Sequence, residues 1–177
     1  AEADKAEADD ARGRPAEENE QALREAAENG RTAEVRVLLA AGTDPDAADG
    51  NGKTTLFHAA DSGHEEAVGA LAEGGADLDK ADNDGWTPLL RAAVDGRSGM
   101  VRRLLELGAD HTAVGTGGWA KGKTALELAE ARRDKEEAAA VLREWAASHP
   151  HAEYMYDAHL AAKAEEHERK AEEQVAR

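Results

Sequence analysis

The 177-residue chain contains no cysteine. That single absence excludes a disulfide framework, a thiolate zinc site and a cysteine nucleophile, and it fits a reducing compartment. Aromatic side chains are nearly missing too: one Phe, two Tyr and three Trp. A core without aromatic plugs must close on Leu, Val and Ala, so its elements have to be small and tightly packed. Positive charge is scarce, with 22 Lys and Arg against 38 Asp and Glu and a net charge of −16. Such a chain repels phosphate backbones and anionic lipid surfaces. No basic stripe interleaved with aromatics offsets this, so nucleic-acid binding is not expected. No apolar run approaches the roughly 20 residues of a membrane span, so direct membrane insertion is not expected either. No signal peptide is visible. The start at Ala1 instead of Met leads us to expect a processed product or a fragment. We expect it to be intracellular, in the cytoplasm or in an organelle after removal of a targeting segment.

What the sequence does have is repetition. Residues 52–60 read GKTTLFHAA and residues 85–93 read GWTPLLRAA. Thr54 and Thr87 are 33 residues apart. The same step relates Leu23, Leu56 and Leu89, the alanine pairs at 26–27, 59–60 and 92–93, and Gly30, Gly63 and Gly96. It also relates Val35, Val68 and Val101, then Leu38, Leu71 and Leu104, then Gly42, Gly75 and Gly108. Many position classes sharing one period mark stacked units, each unable to bury its apolar face alone. A fourth unit keeps the pattern with a shift: Thr124, Leu126 and Ala129 follow Thr87, Leu89 and Ala92 by 37 residues. The four extra residues fall within AVGTGGWAKGK, where an insertion belongs in a loop on one face of the array.

Each unit has a physical reading. Asn83, Asp84 and Gly85 supply turn chemistry. Thr87 suits a helix N-cap and Pro88 the first helical position. Leu89, Ala92 and Ala93 then share one helical face, and the alanines are small because another helix must approach there. Gly96 predicts a left-handed cap. A second helix follows with Val101, Leu104 and Leu105 inward, ending at Gly108.

The third unit, DNDGWTPLLRAAVDGRSGMVRRLLELGAD, and the second, DGNGKTTLFHAADSGHEEAVGALAEGGAD, resemble the ankyrin repeat. Gln21 to Ala48 is similar to an N-terminal capping repeat without its hairpin, and Gly115 to Trp145 to a C-terminal cap. The resemblance implies an all-α ankyrin-repeat solenoid of about four helix-pair units with short β-hairpin loops. The fourth place of the family tetrapeptide TPLH holds Arg24, Phe57, Leu90 and Glu127, so the family histidine is absent from all four units.

Around the repeat domain, placed at 15–148, the text changes. Residues 1–14 are read as a flexible acidic tail, with Pro15 starting the first helix. Pro150 breaks a helix, and residues 149–177 are read as a charged C-terminal helical extension. That extension carries favourable i, i+4 pairs such as Glu165 with Arg169 and a Tyr154–Met155–Tyr156 cluster at its start. It is either a solvated helix or a docking helix whose tyrosines fold on a partner.

No catalytic constellation is visible. Gly122-Lys123-Thr124 lacks the spacing and the preceding strand of a phosphate loop. His149 and His151, one residue apart across Pro150, make a poor metal pair. His58 and His64 are read as structural. No cofactor and no metal are expected, and the chain is not expected to be an enzyme. The resemblance implies instead a non-catalytic protein–protein interaction module, an adaptor that binds a protein partner through a concave groove and the hairpin tips. On that mapping the partner-binding residues are Asn51, Lys53, Asn83, Asp84, Trp86, Trp119 and Lys121, with Tyr154 and Tyr156 from the extension. Lys53, Trp86 and Lys123 occupy one slot in three successive units. A tryptophan in such a slot suits a binding hot spot. Alternatively, Trp86 lies flat on its own hairpin and Trp119 covers the end of the stack; Trp145 is expected to be structural, continuing the Val141–Leu142 face. A second functional expectation is a structural or assembly subunit of a larger complex that docks through its terminal extensions.

Overall fold

The computed structural model of the chain describes residues 13–132 and 136–149. The expectations for the acidic tail up to residue 12, and for the C-terminal helix with Tyr154 and Tyr156, lie outside the described residues.

The helices come in pairs. They are α1 Ala16–Glu28 and α2 Thr32–Ala40, α3 Thr55–Ser62 and α4 Glu65–Glu73, α5 Pro88–Asp95 and α6 Ser98–Leu107, α7 Ala125–Glu130 and α8 Glu136–Ser148. The local chemistry sets their ends as the sequence predicts. The hydroxyls of Thr54, Thr87 and Thr124 accept the backbone N–H three residues on, at Phe57, Leu90 and Glu127, satisfying a donor that the first helical turn leaves unpaired. Gly63 and Gly96 close α3 and α5 in the left-handed region, where a β-carbon would strain the backbone. One boundary differs: Pro15 stands at the N-cap with extended ψ and the helix begins at Ala16. The Pro15 ψ of 144° lies outside the helical region, and its carbonyl accepts from Glu18 and Asn19.

The pairs stack in two layers. α1, α3, α5 and α7 pack in a row, and α2, α4, α6 and α8 form the second row behind them. The repeated apolar positions form one seam between the rows: Leu23, Leu56 and Leu89, the three alanine pairs, and the valine and leucine series are at most 3% exposed. Each buried Leu is worth about 2 kcal/mol of transfer free energy, and its own helix pair and the neighbouring units together supply that burial. Alanine at the helix contacts lets adjacent units approach; a larger side chain there would force the stack apart.

Three details depart from the expectation or refine it. The hairpins are reduced to isolated bridges, Ala48 with Thr54 in the second unit and Val114 with Thr124 and Gly115 with Lys121 in the fourth. The tetrapeptide's fourth place is filled by apolar burial in the inner units, with Phe57 and Leu90 each 1% exposed; Arg24 there is half-buried and Glu127 exposed. In the fourth unit Leu126 is only partly buried, while Leu128 and Ala129 fill the seam. Among the described residues no first-row helix lies beyond α7, so one wall that encloses Leu89 is missing around Leu126.

Candidate partner-binding site

Each inner unit opens with a tight tip held by one aspartate. Asp49 Oδ1 accepts the backbone N–H of Asn51 (2.8 Å) and of Lys53 (3.0 Å). Asp82 Oδ1 does the same for Asp84 (3.0 Å) and Trp86 (2.9 Å). Such self-bonding lets Asp organise a turn that no strand ladder supports. Burial acts to raise the Asp49 carboxyl pKa. The backbone bonds from Lys53 and Asn51, together with the His58 ring, outweigh it and hold the pKa below its ordinary value. His58 is structural, as expected, and bridges two units: its Nε2 lies 2.9 Å from Asp49 Oδ2 and its Nδ1 2.8 Å from Glu28 Oε1.

The tips are tied to one another. Asn83 donates its backbone N–H to Asn51 O (2.9 Å) and its side-chain Nδ2 to Gly50 O (3.2 Å). Thr116 donates its N–H to Gly85 O (3.2 Å). Gly85 is needed twice over. Its φ is +79°, and a β-carbon there would strike Thr116 and the Gly117 backbone.

The fourth tip is built differently. Asp82 N donates to Trp86 O, and the equivalent bond runs from Gly115 N to Lys123 O, so this loop is longer by four residues. The insertion expected from the sequence therefore sits in the tip. Its chain turns through a short 3-10 segment, Gly118–Ala120. Ala120 is buried beneath Gly115, and Trp119 is thrown outward. Behind the loop, Glu127 accepts the backbone N–H (2.8 Å) and the hydroxyl (3.1 Å) of Thr124, completing a capping box. The backbone bond first, then the hydroxyl bond, hold its carboxyl below the ordinary pKa.

These elements bring together most of the residues singled out from the sequence. Lys53, Trp86 and Lys123 sit at matching positions of adjacent tips, with Asn51, Asn83 and Asp84 exposed beside them. Trp86 is partly buried on the core, and Trp119 meets it edge to face with ring centroids 5.1 Å apart. Trp119 remains 50% exposed, so it leans on Trp86 instead of covering the end of the stack. Lys123 Nζ lies 5.8 Å from the Trp119 ring centre and Lys53 Nζ 4.9 Å from that of Phe57. Lys121 is exposed on the loop. Trp145 does pack on the core, and His149 stacks on it at 4.0 Å. Sequence reasoning missed Val114, which is 46% exposed. A large apolar residue abutting an inserted Gly-rich loop was the available signal. It also missed that Asn51 and Asn83 join one tip to the next through their own backbone.

Among the described residues, shallow clefts elsewhere include one of about 270 Å³ between α1 and the turn at Gly42–Asp44 and one of about 310 Å³ at the reversal turns around Gly63–Glu66. Among the described residues no group of three or more His, Asp or Glu is placed to hold a metal ion, and no helix is long and apolar enough to cross a membrane.

Comparison with known proteins agrees with this architecture. The family model described as ankyrin repeats (3 copies) matches residues 16–115. The match takes in the first three helix pairs and stops at Gly115, where the longer loop opens. No curated protein matches the chain. Ankyrin repeats are generally protein–protein interaction modules and typically non-catalytic. Paired helices on a repeat of 33, tips bonded tip to tip and a family match over more than half the sequence all agree: the chain belongs to the ankyrin repeat family.

Proposed function

We propose that the chain is a non-catalytic adaptor that grips a protein partner across the row of tips and the adjoining first-helix face. One observation carries the reading. Three successive units present Lys53, Trp86 and Lys123 in one slot, and the longer fourth loop lays Trp119 against Trp86. A tryptophan left half in water contributes little to the stack. Partly desolvated tryptophans on a rigid support are typical anchors of protein interfaces. Asn51, Asn83, Asp84 and Lys121 form the polar margin of this surface. The test is the double variant Trp86→Ala/Lys53→Ala. Capture of the partner from native extract should be lost while the thermal melt shifts by only a few degrees. Unchanged capture at an unchanged melt would count against the proposal.

The second reading, an assembly subunit docking through its ends, draws on Tyr154, Met155 and Tyr156 and on the paired charges of residues 149–177. Deleting 149–177 should then abolish co-purification while the tip variant behaves as wild type.

A further inference from the structure

Granting that the tips bind a protein, their chemistry indicates what kind of segment they take. In this acidic chain several described arginines have carboxylate partners, Arg103 with Glu106 among them. Arg31 pairs with Glu25 and Glu34, Arg36 with Glu73, Arg91 with Asp61 and Asp95, and Arg143 with Glu130 and Glu136. The tip lysines differ. Among the described residues, Lys53, Lys121 and Lys123 have no carboxylate within ion-pair distance, and two of them rest over aromatic rings. Two nearby carboxylates are engaged by their own turns. Asp49 is bonded by its own tip and by His58, and Glu127 is closed on Thr124. Asp84 is exposed at the margin, as Glu127 is. The exposed large apolar side chains among the described residues are Val114 and Trp119, and both belong to the fourth tip. Lys121 and Lys123, without carboxylate partners among the described residues, thus share the fourth tip with its uncovered apolar side chains.

We infer that the bound segment of the partner is acidic and carries an aliphatic or aromatic side chain, which packs on Trp119 while its carboxylates meet Lys121, Lys123 and Lys53. This rests on the adaptor reading and adds the partner's chemistry to it. The net charge of −16 does not defeat such a contact. At physiological salt the Debye length is about 8 Å, so carboxylates on the rest of the molecule are screened from a segment seated at the tips. A long polyanion fares worse, because beyond three adjacent tips it runs over a surface rich in Asp and Glu. Charge of opposite sign at the margin also raises the association rate and suppresses basic competitors.

The test is selection of a random peptide library on the full chain, followed by affinity measurement on the enriched peptides. The expected winners have net negative charge and one large apolar residue. Lys121→Glu/Lys123→Glu should weaken them about tenfold or more, Trp119→Ala by a similar factor, and Asp84→Asn should tighten them. Affinity should fall with added salt. Enrichment of neutral or basic peptides, or indifference to the lysine reversal at an unchanged melt, would overturn the inference. So would tighter binding of an oligothymidylate than of any acidic peptide. If Trp86→Ala/Lys53→Ala releases a partner from extract while selected peptides are basic, the charge assignment fails and the adaptor reading stands. If that variant releases nothing, the adaptor reading itself has failed.

Discussion

The third and fourth tips start from the same plan and reach different ends. In the third, Gly85 is buried against the next tip, Asp82 closes the turn with two backbone bonds, and Trp86 packs partly on the core. In the fourth the loop is longer, Gly122 meets nothing within 4 Å, and Trp119 stands half in solvent. The difference is one of neighbours. An inner tip is confined on both sides, so its length and its glycine are set by packing. Among the described residues the last tip has a neighbour on one side only, and it has room for four extra residues and an exposed ring. Packing thus constrains the inner tips, while the last tip accommodates an insertion and an exposed ring.

The contrast can be broken most forcefully in the seam. Leu89→Ala should cost about 2–5 kcal/mol in chemical denaturation, the range for emptying a fully enclosed leucine site. Leu126→Ala, at the equivalent but half-walled position, should cost about 1 kcal/mol. Equal costs would mean that the fourth unit is as enclosed as the third. At the tips, Gly85→Ala forces a β-carbon at positive φ into the Thr116 backbone and should cost about 3 kcal/mol. Gly122→Ala, with φ +71° and open space around it, should show only the dihedral strain of about 1 kcal/mol.

Acidification should weaken the fold in two windows. Burial, opposed by Asp110 and reinforced by His149, lowers the His111 pKa below 6.5. The unfolded chain therefore takes up that proton more readily than the native one. Stability from His111 is complete above pH 6.5 and is lost as pH falls through its lowered native value. Asp49, whose pKa is held below 3.8, contributes stability that is complete above that value and is lost as pH falls through its own lowered native value. Melts recorded against pH for His111→Asn and Asp49→Asn should each lack one of these losses. The smallest effect is expected at Trp119→Ala, which should change stability by less than about 0.5 kcal/mol, far below the cost at Leu89.

The architecture was legible in the sequence because it is written by repetition. A period shared by threonine caps, alanine pairs and closing glycines admits one stacked solution, and even the four-residue insertion was placed in the right loop. The site was legible only in part. Lys53, Trp86 and Lys123 could be aligned by slot, because the slot is a property of the repeat. The meeting of Trp86 with Trp119 could not, since it depends on how the non-repeating loop turns at Gly118–Ala120. Glu28, His58 and Asp49 come from three places in the chain, and the stacking of α1 on α3 alone brings them together. Leu126 was aligned with Leu89 by spacing, but spacing carries no information about the missing wall.

Hydrogen–deuterium exchange on the chain bound to its captured partner bears most directly on where recognition lies. Protection should rise at residues 51–53, 83–86 and 116–123 on binding. Protection confined to residues 149–177, with the tips exchanging as in the free chain, would contradict the account.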